Sequence, residues 1–149
     1  MAIRLAQEDD VIKITDEMRE HINHALANAT PCILATASPK GEPGISLRGS
    51  MMAFDDEHLA YWDRTQRLGL EHVDANPKVV VMYRDPKARK AWKFYGDAVV
   101  YRNGPVREQV LARVVPAELD RDPERKGFAV LVRVNRITDL AGQVLQQRD

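Results

Sequence analysis

The stretch that decides the fold lies at residues 32–64 and reads CILATASPKGEPGISLRGSMMAFDDEHLAYWDR. The apolar run 32–37 predicts a strand, and residues 38–44 supply the Ser, Pro and Gly typical of turns. A second strand is predicted over about 45–54 and, after an acidic turn, a third over 58–64. Because strand, turn and strand follow each other directly, the stretch is typical of an antiparallel meander.

Helices are predicted around these strands. Thr15 can cap a helix that begins at Asp16 with acidic residues, which suit the positive end of the helix dipole. A second helix is predicted over 65–75, where Asn-Pro stops it, and a third over 105–115. The polar residues 116–126 are predicted to be irregular.

Further strands are predicted in the second half of the chain. Residues 79–82 are continuously apolar, which predicts a strand buried on both faces, whereas residues 92–101 alternate. A last long strand opens at Gly127, and a short tail follows. The count is about six strands with helices inserted between them. One domain over residues 1–149 is expected, mostly β, built as a small antiparallel barrel with helices.

Composition excludes several classes of partner. The 22 basic and 22 acidic side chains cancel, so no global field draws the chain to nucleic acid or to an anionic membrane. No stretch approaches the roughly 18 apolar residues of a membrane helix, and the N-terminus turns acidic where a signal peptide would be apolar. Cys32, the single cysteine, cannot form an internal disulfide. We therefore expect a cytoplasmic protein.

Polar residues on the predicted second strand mark the best candidate site. Ser46, Arg48 and Ser50 share one face, and a buried strand carries such residues only where something polar meets them. On the third strand, Trp62 and Arg64 share a face, and the indole could lie against a flat heterocycle. The alternative is a solvated barrel face with surface arginines, which composition alone favours.

The start of the predicted second helix extends this candidate site. The helix is expected to begin near Thr65, and Arg67 follows within its first turn. Unpaired N–H groups at a helix start favour an anion, and arginine side chains can fork onto phosphate oxygens. Together with the strand residues, these features predict a site for a phosphorylated aromatic ligand.

The order and spacing of several short motifs strengthen this prediction. The motifs are Leu34-Ala35-Thr36, Gly41-Glu42-Pro43, Phe54-Asp55-Asp56, Leu59-Ala60-Tyr61-Trp62, Asn76-Pro77-Lys78-Val79 and Phe94-Tyr95-Gly96. The ordered set, from about residue 31 to 104, resembles the pyridoxamine 5′-phosphate oxidase-like FMN-binding split-barrel superfamily. The resemblance implies a six-stranded split barrel and a homodimer with FMN in the clefts between subunits. The FMN-binding residues that it implies are Arg48, Gly49, Ser50, Trp62, Asp63, Arg64, Thr65, Arg67 and Gly69.

Two departures from the family pattern bear on activity. Members often carry Ser-Arg-Lys at the phosphate-binding helix, where this chain has Arg67-Leu68-Gly69. The pyridoxamine phosphate oxidases close with a Trp- and Arg-bearing segment, whereas the tryptophans here are Trp62 and Trp92, so pyridoxamine phosphate is not predicted as the substrate. The resemblance implies an FMN-dependent oxidoreductase that takes electrons from a reduced nicotinamide and acts on an unknown small molecule.

Two alternatives remain open on the sequence. One is a non-catalytic flavin-binding or stress-related module, and the other is a split-barrel protein that uses deazaflavin or haem. No catalytic residue is assigned, because a flavin supplies the electron chemistry itself.

Other features of the sequence are assigned structural roles. His21 and His24 lack the further ligands of a metal site, so no metal is predicted. Cys32 lies in an apolar strand and is expected in the core. The locally basic residues 84–93 are interpreted as a solvated hairpin loop rather than a nucleic-acid patch.

Overall fold

A computed structural model describes residues 11–148 of the chain. Eight strands form one antiparallel sheet in the order β2-β1-β5-β6-β7-β4-β3, with β8 paired to β7. The strands are β1 (Cys32–Ala37), β2 (Pro43–Arg48), β3 (Met52–Ala53), β4 (His58–Asp63), β5 (Lys78–Asp85), β6 (Lys90–Tyr101), β7 (Phe128–Thr138) and β8 (Val144–Gln147). The helices are α1 (Asp16–Asn23), α2 (Leu68–Ala75), α3 (Pro105–Leu111) and α4 (Pro116–Leu119). The predicted class, a mostly β antiparallel split barrel with helices, is confirmed, with eight strands instead of six.

The split of the barrel falls inside the predicted second strand. The structure ends β2 at Arg48 and starts the two-residue strand β3 at Met52, so a single strand over 45–54 is wrong. The two pieces pair with different neighbours, since β2 pairs with β1 and β3 pairs with β4. The chain therefore crosses from one edge of the sheet to the other, through a turn in which the Met51 amide donates to the Arg48 carbonyl.

The barrel interior is the main core. Alternate residues of β5 and β6 point into it, among them Val81, Tyr83 and Phe94, each fully buried. The prediction that 79–82 is buried on both faces is wrong, because Val80 and Met82 lie on the outer face and stay half-exposed. The predicted alternation of residues 92–101 is confirmed.

β4 is buried on both faces. Tyr61 points into the barrel, whereas Trp62 points outward into a second apolar cluster with Val110 of α3 and with Val114. The predicted third helix ends at Leu111 instead of 115, because turns precede Pro116, which holds the residue before it extended. The segment 116–126 is not wholly irregular, since α4 begins at Pro116.

The ends of the described chain pack onto the sheet. The Thr15 hydroxyl caps α1 as predicted, accepting a hydrogen bond from the Met18 amide at 3.1 Å. The tail forms β8, an additional strand paired with β7. No helix within residues 11–148 is long and apolar enough to cross a membrane.

The structure shows the environments of Cys32, His21 and His24, the three side chains that the sequence analysis assigned structural roles. Cys32 lies inside the barrel, where burial raises the pKa of its thiol to about 12. His21 approaches the Tyr83 hydroxyl at 3.1 Å, whereas His24 is exposed beside Glu20. No group of three or more potential metal ligands occurs in the described part of the chain. The basic stretch forms the β5–β6 hairpin, as predicted.

Candidate functional site

A cleft of about 450 Å³ opens where the end of β2, the loop after β4 and the start of α2 meet. Its size is in the range of sites for small molecules and cofactors. Eight of the nine residues expected to bind the cofactor line it: Arg48, Gly49, Ser50, Trp62, Arg64, Thr65, Arg67 and Gly69. The ninth, Asp63, is fully buried behind Arg48.

Arg48 is the most constrained cation of the cleft. Its Nε donates to the Ser46 hydroxyl at 3.0 Å, and its Nη1 lies 3.4 Å from Asp63 Oδ2. Its guanidinium also covers the ring of Tyr61, 5.0 Å from the ring centre. The side chain is 11% exposed, so the charge is held in one place at the wall of the cleft.

The loop between β4 and α2 sets the start of the helix. Asp63 Oδ1 accepts from the Gln66 amide at 2.8 Å, and Gln66 has a φ of 52°, which a helix does not accept. The predicted start near Thr65 is therefore wrong, and α2 begins at Leu68. The first amides that bond to the Arg67 carbonyl come from residues 70 and 71, so the amides of Leu68 and Gly69, two residues that line the cleft, have no acceptor within the helix.

Gly69 lets Arg48 reach the start of α2. A β-carbon at position 69 would lie 2.6 Å from Arg48 Nη2, closer than real side chains approach. The guanidinium thus occupies the space that a side chain would fill, next to the first turn of the helix. The sequence prediction placed both residues at the site, and the structure brings them into contact.

Ser50 and Trp62 shape the cleft but do not offer their functional groups to a ligand. The Ser50 hydroxyl accepts from the Trp62 amide at 2.9 Å and bonds the Trp62 carbonyl at 3.1 Å. The indole is 2% exposed, donates to Asp122 Oδ2 at 2.8 Å and lies under the guanidinium of Arg107. The expectation that this ring lies against a heterocycle is wrong, because strand alternation turns it into the second apolar cluster.

Two residues that the sequence did not indicate complete the cleft. Glu118 of α4 places its Oε2 3.5 Å from Arg64 Nε, and Arg121 lines the same wall. The Glu118 carboxylate lies against Gly49, where a β-carbon would collide with it. Since Arg64 and Glu118 are 54 positions apart, no local pattern could have linked them.

The charges of the cleft suit a dianion. Arg67 and Arg121 form no ion pair within residues 11–148, so the site has two more guanidinium groups than carboxylates. A phosphate monoester carries about −1.5 to −2 charge near pH 7. The charged groups are Arg48, Arg64, Arg67, Arg121, Asp63 and Glu118. The residues present therefore fit the phosphate of a nucleotide-type cofactor.

The sequence of this chain matches the model of one protein family. The family model described as Pyridoxamine 5'-phosphate oxidase matches residues 14–137, which include every residue of the cleft. No curated protein matches the chain.

Three of the solved structures with similar folds are described as different kinds of protein. HupZ of Group A Streptococcus is 25% identical with a TM-score of 0.66, and the match covers 88% of this chain and 97% of that one. An FMN-binding protein from Syntrophomonas wolfei is 16% identical with a TM-score of 0.65, covering 83% and 86%. An F420 reductase is 20% identical with a TM-score of 0.55, covering 73% and 89%.

Proposed function

This chain belongs to the pyridoxamine 5′-phosphate oxidase family, and on that premise we propose that its cleft binds FMN and that the protein is a flavin-dependent oxidoreductase. The observation that carries the proposal is the contact of Arg48 with Gly69. It places a nearly buried guanidinium beside the first turn of α2, where the amides have no acceptor within the helix. Guanidinium and helix N–H groups are the donors that hold a phosphate in nucleotide sites.

Each residue of the cleft has a separate task in this proposal. Arg48 and the start of α2 bind the phosphate, and the exposed Arg67 adds a charge that can close over it. Asp63 fixes both Arg48 and the loop that sets the start of the helix. Bound FMN would supply the electron-transfer chemistry, so the protein needs to provide binding and orientation. A reduced nicotinamide is the proposed electron donor.

A homodimer is part of the same proposal. Ile45 and Leu47 of β2 are 78% and 66% exposed, and both line the cleft. Their neighbours on the outer face of the sheet are also apolar, namely Ala35 and Ile33 on β1 and Val80 and Met82 on β5. A contiguous exposed apolar patch of this kind marks an interaction surface. A second copy seated on it would cover the open side of the cleft.

Spectroscopy of the purified protein tests the proposal. We expect either flavin absorbance between about 300 and 500 nm or saturable binding of added FMN, with riboflavin much weaker because it lacks the phosphate. Equal affinity for FMN and riboflavin would refute the phosphate site. Tighter binding of a deazaflavin or haem would replace FMN as the ligand, and oxidation of reduced nicotinamide by the FMN-loaded protein would establish the enzyme.

A further inference from the structure

A buried histidine, His72 of α2, lies beside the floor of the cofactor cleft. Its side chain belongs to a residue that is 3% exposed, and its Nδ1 lies 2.8 Å from the hydroxyl oxygen of Thr36 on β1. Thr36 is 6% exposed and lines the cleft. The two side chains therefore join the interior of the protein to the surface of the cleft.

The sequence places Thr36 at the polar end of an apolar row. Cys32 and Leu34 share its face of β1 and belong to the core of the barrel. Gly44, its paired residue on β2, leaves room for the contact, because a β-carbon at position 44 would lie 2.7 Å from Thr36 Oγ1 and 3.0 Å from His72 Nδ1. Gly44 also lines the cleft, so the hydroxyl lies beside a part of the cleft floor that has no side chain.

The hydrogen-bonding groups of the pair allow two arrangements. A neutral histidine carries one N–H, so either Thr36 donates to Nδ1 and the ring proton is on Nε2, or Nδ1–H donates to Thr36 Oγ1 and Nε2 is bare. Nε2 is enclosed and has no partner among the described residues. Enclosed N–H groups without an acceptor are rarer in proteins than enclosed acceptors without a donor, which favours the proton on Nδ1.

The second arrangement leaves the hydroxyl hydrogen of Thr36 without an acceptor. Within residues 11–148, His72 is the sole hydrogen-bond partner of the hydroxyl oxygen, and it occupies that oxygen as a donor. Because Thr36 lines the cleft, its hydrogen is available to a ligand there.

The Thr36 hydroxyl lies further along α2 than the phosphate site. Gly69, which contacts Arg48, and His72 are three residues apart, a rise of about 4.5 Å along the helix. A ligand whose phosphate lies at the start of α2 therefore meets the hydroxyl with a phosphate oxygen or with an oxygen of the chain next to the phosphate. Both are hydrogen-bond acceptors.

We propose that Thr36 is a further binding residue of the cleft, which donates its hydroxyl hydrogen to an oxygen of the bound ligand, and that His72 is a positioning residue that directs this hydrogen. These roles rest on the proposed binding of FMN in the cleft. They add an uncharged donor to the charged donor at Arg48, and they give the buried histidine of α2 a part in recognition.

Titration of the full-length protein with FMN, followed by flavin fluorescence, tests the role of Thr36. Thr36→Val keeps the shape of the side chain and removes the hydroxyl, so we expect FMN affinity to fall about fivefold, the contribution of one neutral hydrogen bond. Thr36→Ser retains a hydroxyl and should restore most of the affinity. Riboflavin affinity should fall equally in Thr36→Val if the acceptor is on the ribityl chain, and stay unchanged if it is a phosphate oxygen.

Thr138→Val is the matched control for the loss of a buried hydroxyl. Thr138 of β7 is 2% exposed, its hydroxyl donates to the Asp139 carbonyl, and it does not belong to the lining of the cleft. We expect this variant to bind FMN within twofold of the original protein.

Two variants and one spectrum test the positioning role of His72. His72→Leu removes the donor to Thr36 and should weaken FMN binding, whereas His72→Asn keeps an amide N–H near the place of Nδ1 and should restore it. In a Thr36→Val background neither change should alter FMN affinity further, because His72 acts through Thr36. The ¹⁵N spectrum of the ligand-free protein at alkaline pH, where histidine is neutral, should show the proton of His72 on Nδ1.

Four results would overturn these roles while the original protein still binds FMN, which leaves the proposed function intact. They are a proton on Nε2 of His72, unchanged FMN affinity in Thr36→Val, equal losses in Thr36→Val and Thr138→Val, and an effect of His72→Leu that is the same with and without the Thr36 hydroxyl. Absence of FMN binding by the original protein is a different outcome, which would refute the proposed function and the roles of Thr36 and His72 together.

Discussion

Arg48 and Asp63 form an ion pair of 3.4 Å between Nη1 and Oδ2, although β2 and β4 lie near opposite ends of the sheet order. Closure of the barrel brings the two side chains together across the split. Asp63 is fully buried and Arg48 nearly so, which separates the pair from ordinary surface ion pairs. The same contact closes the barrel and positions the main cation of the cleft.

The first prediction concerns the stability of this pair. Arg48→Gln leaves the Asp63 carboxylate buried without its partner, so we expect the free energy of unfolding to fall by about 3 kcal/mol in chemical denaturation. Adding Asp63→Asn removes the stranded charge while its oxygen can still accept from the Gln66 amide. Most of the lost stability should return in the double variant. Equal instability of both variants would show that the charge pairing contributes little.

Gly69→Ala separates ligand binding from stability. The new β-carbon would displace Arg48 Nη2, whereas the pair with Asp63 is made by Nη1 and can be kept, and alanine favours a helix over glycine by up to about 1 kcal/mol. We therefore expect unfolding stability within about 1 kcal/mol of the original, with FMN affinity reduced about tenfold. Fluorescence titration and denaturation measure the two quantities. Unchanged FMN affinity would mean that Arg48 does not contact the phosphate.

Local pattern predicted much of the fold and part of the site. The alternation of residues 92–101 and the cap at Thr15 depend on neighbours in sequence, and the structure confirms both. The break after Arg48 could not be predicted, because residues 51–53 continue an apolar strand pattern while pairing with a different neighbour. The alternation of side chains along a strand does not show which neighbouring strand it pairs with.

Residues brought in from distant segments were missed for the same reason. Glu118 enters the cleft through the packing of α4, which no local motif encodes. Trp62 was predicted to belong to the site, and it lines the cleft. Its ring was wrongly predicted to contact the ligand, because the sequence does not show that α3 covers the outer face of β4.

Glu118→Gln tests the electrostatics of the cleft. The carboxylate lies beside Arg64 and repels an incoming phosphate, so its removal should tighten FMN binding by about fivefold, or about 1 kcal/mol. Riboflavin is the matched control, since it lacks the phosphate and its affinity should stay unchanged. An equal gain for both ligands would indicate a change in packing instead of charge. Fluorescence titration at low salt is the measurement.

Asp122 makes stability depend on pH. Its burial raises the pKa, but hydrogen bonds from the Trp62 indole and from the amides of Lys126 and Gly127 outweigh this and lower it. A lowered pKa in the folded state stabilises the fold above the unfolded value, about 3.9, and the contribution disappears as the pH falls through the folded value. Asp122→Asn should therefore be less stable than the original protein at neutral pH.

The difference between Asp122→Asn and the original protein should shrink below about pH 4, where the carboxyl of the unfolded chain becomes protonated, and disappear below the lowered pKa of the folded carboxyl. Urea denaturation of both proteins from neutral to acid pH measures this difference in the free energy of unfolding. A difference that stays constant from neutral to acid pH would show that the charge of Asp122 contributes nothing.

The proposed dimer depends on the exposed apolar face of β2. Replacing both Ile45 and Leu47 by Asn removes two exposed apolar side chains without changing the charge of the cleft. We expect the double variant to be a monomer by light scattering at micromolar concentration and to bind FMN more weakly, because the cleft then lacks its cover. Leu140→Asn, which removes an apolar side chain 45% exposed elsewhere, should remain a dimer with unchanged FMN affinity. If the original protein is itself a monomer that binds FMN tightly, the cleft needs no partner, and the apolar face of β2 must serve another contact.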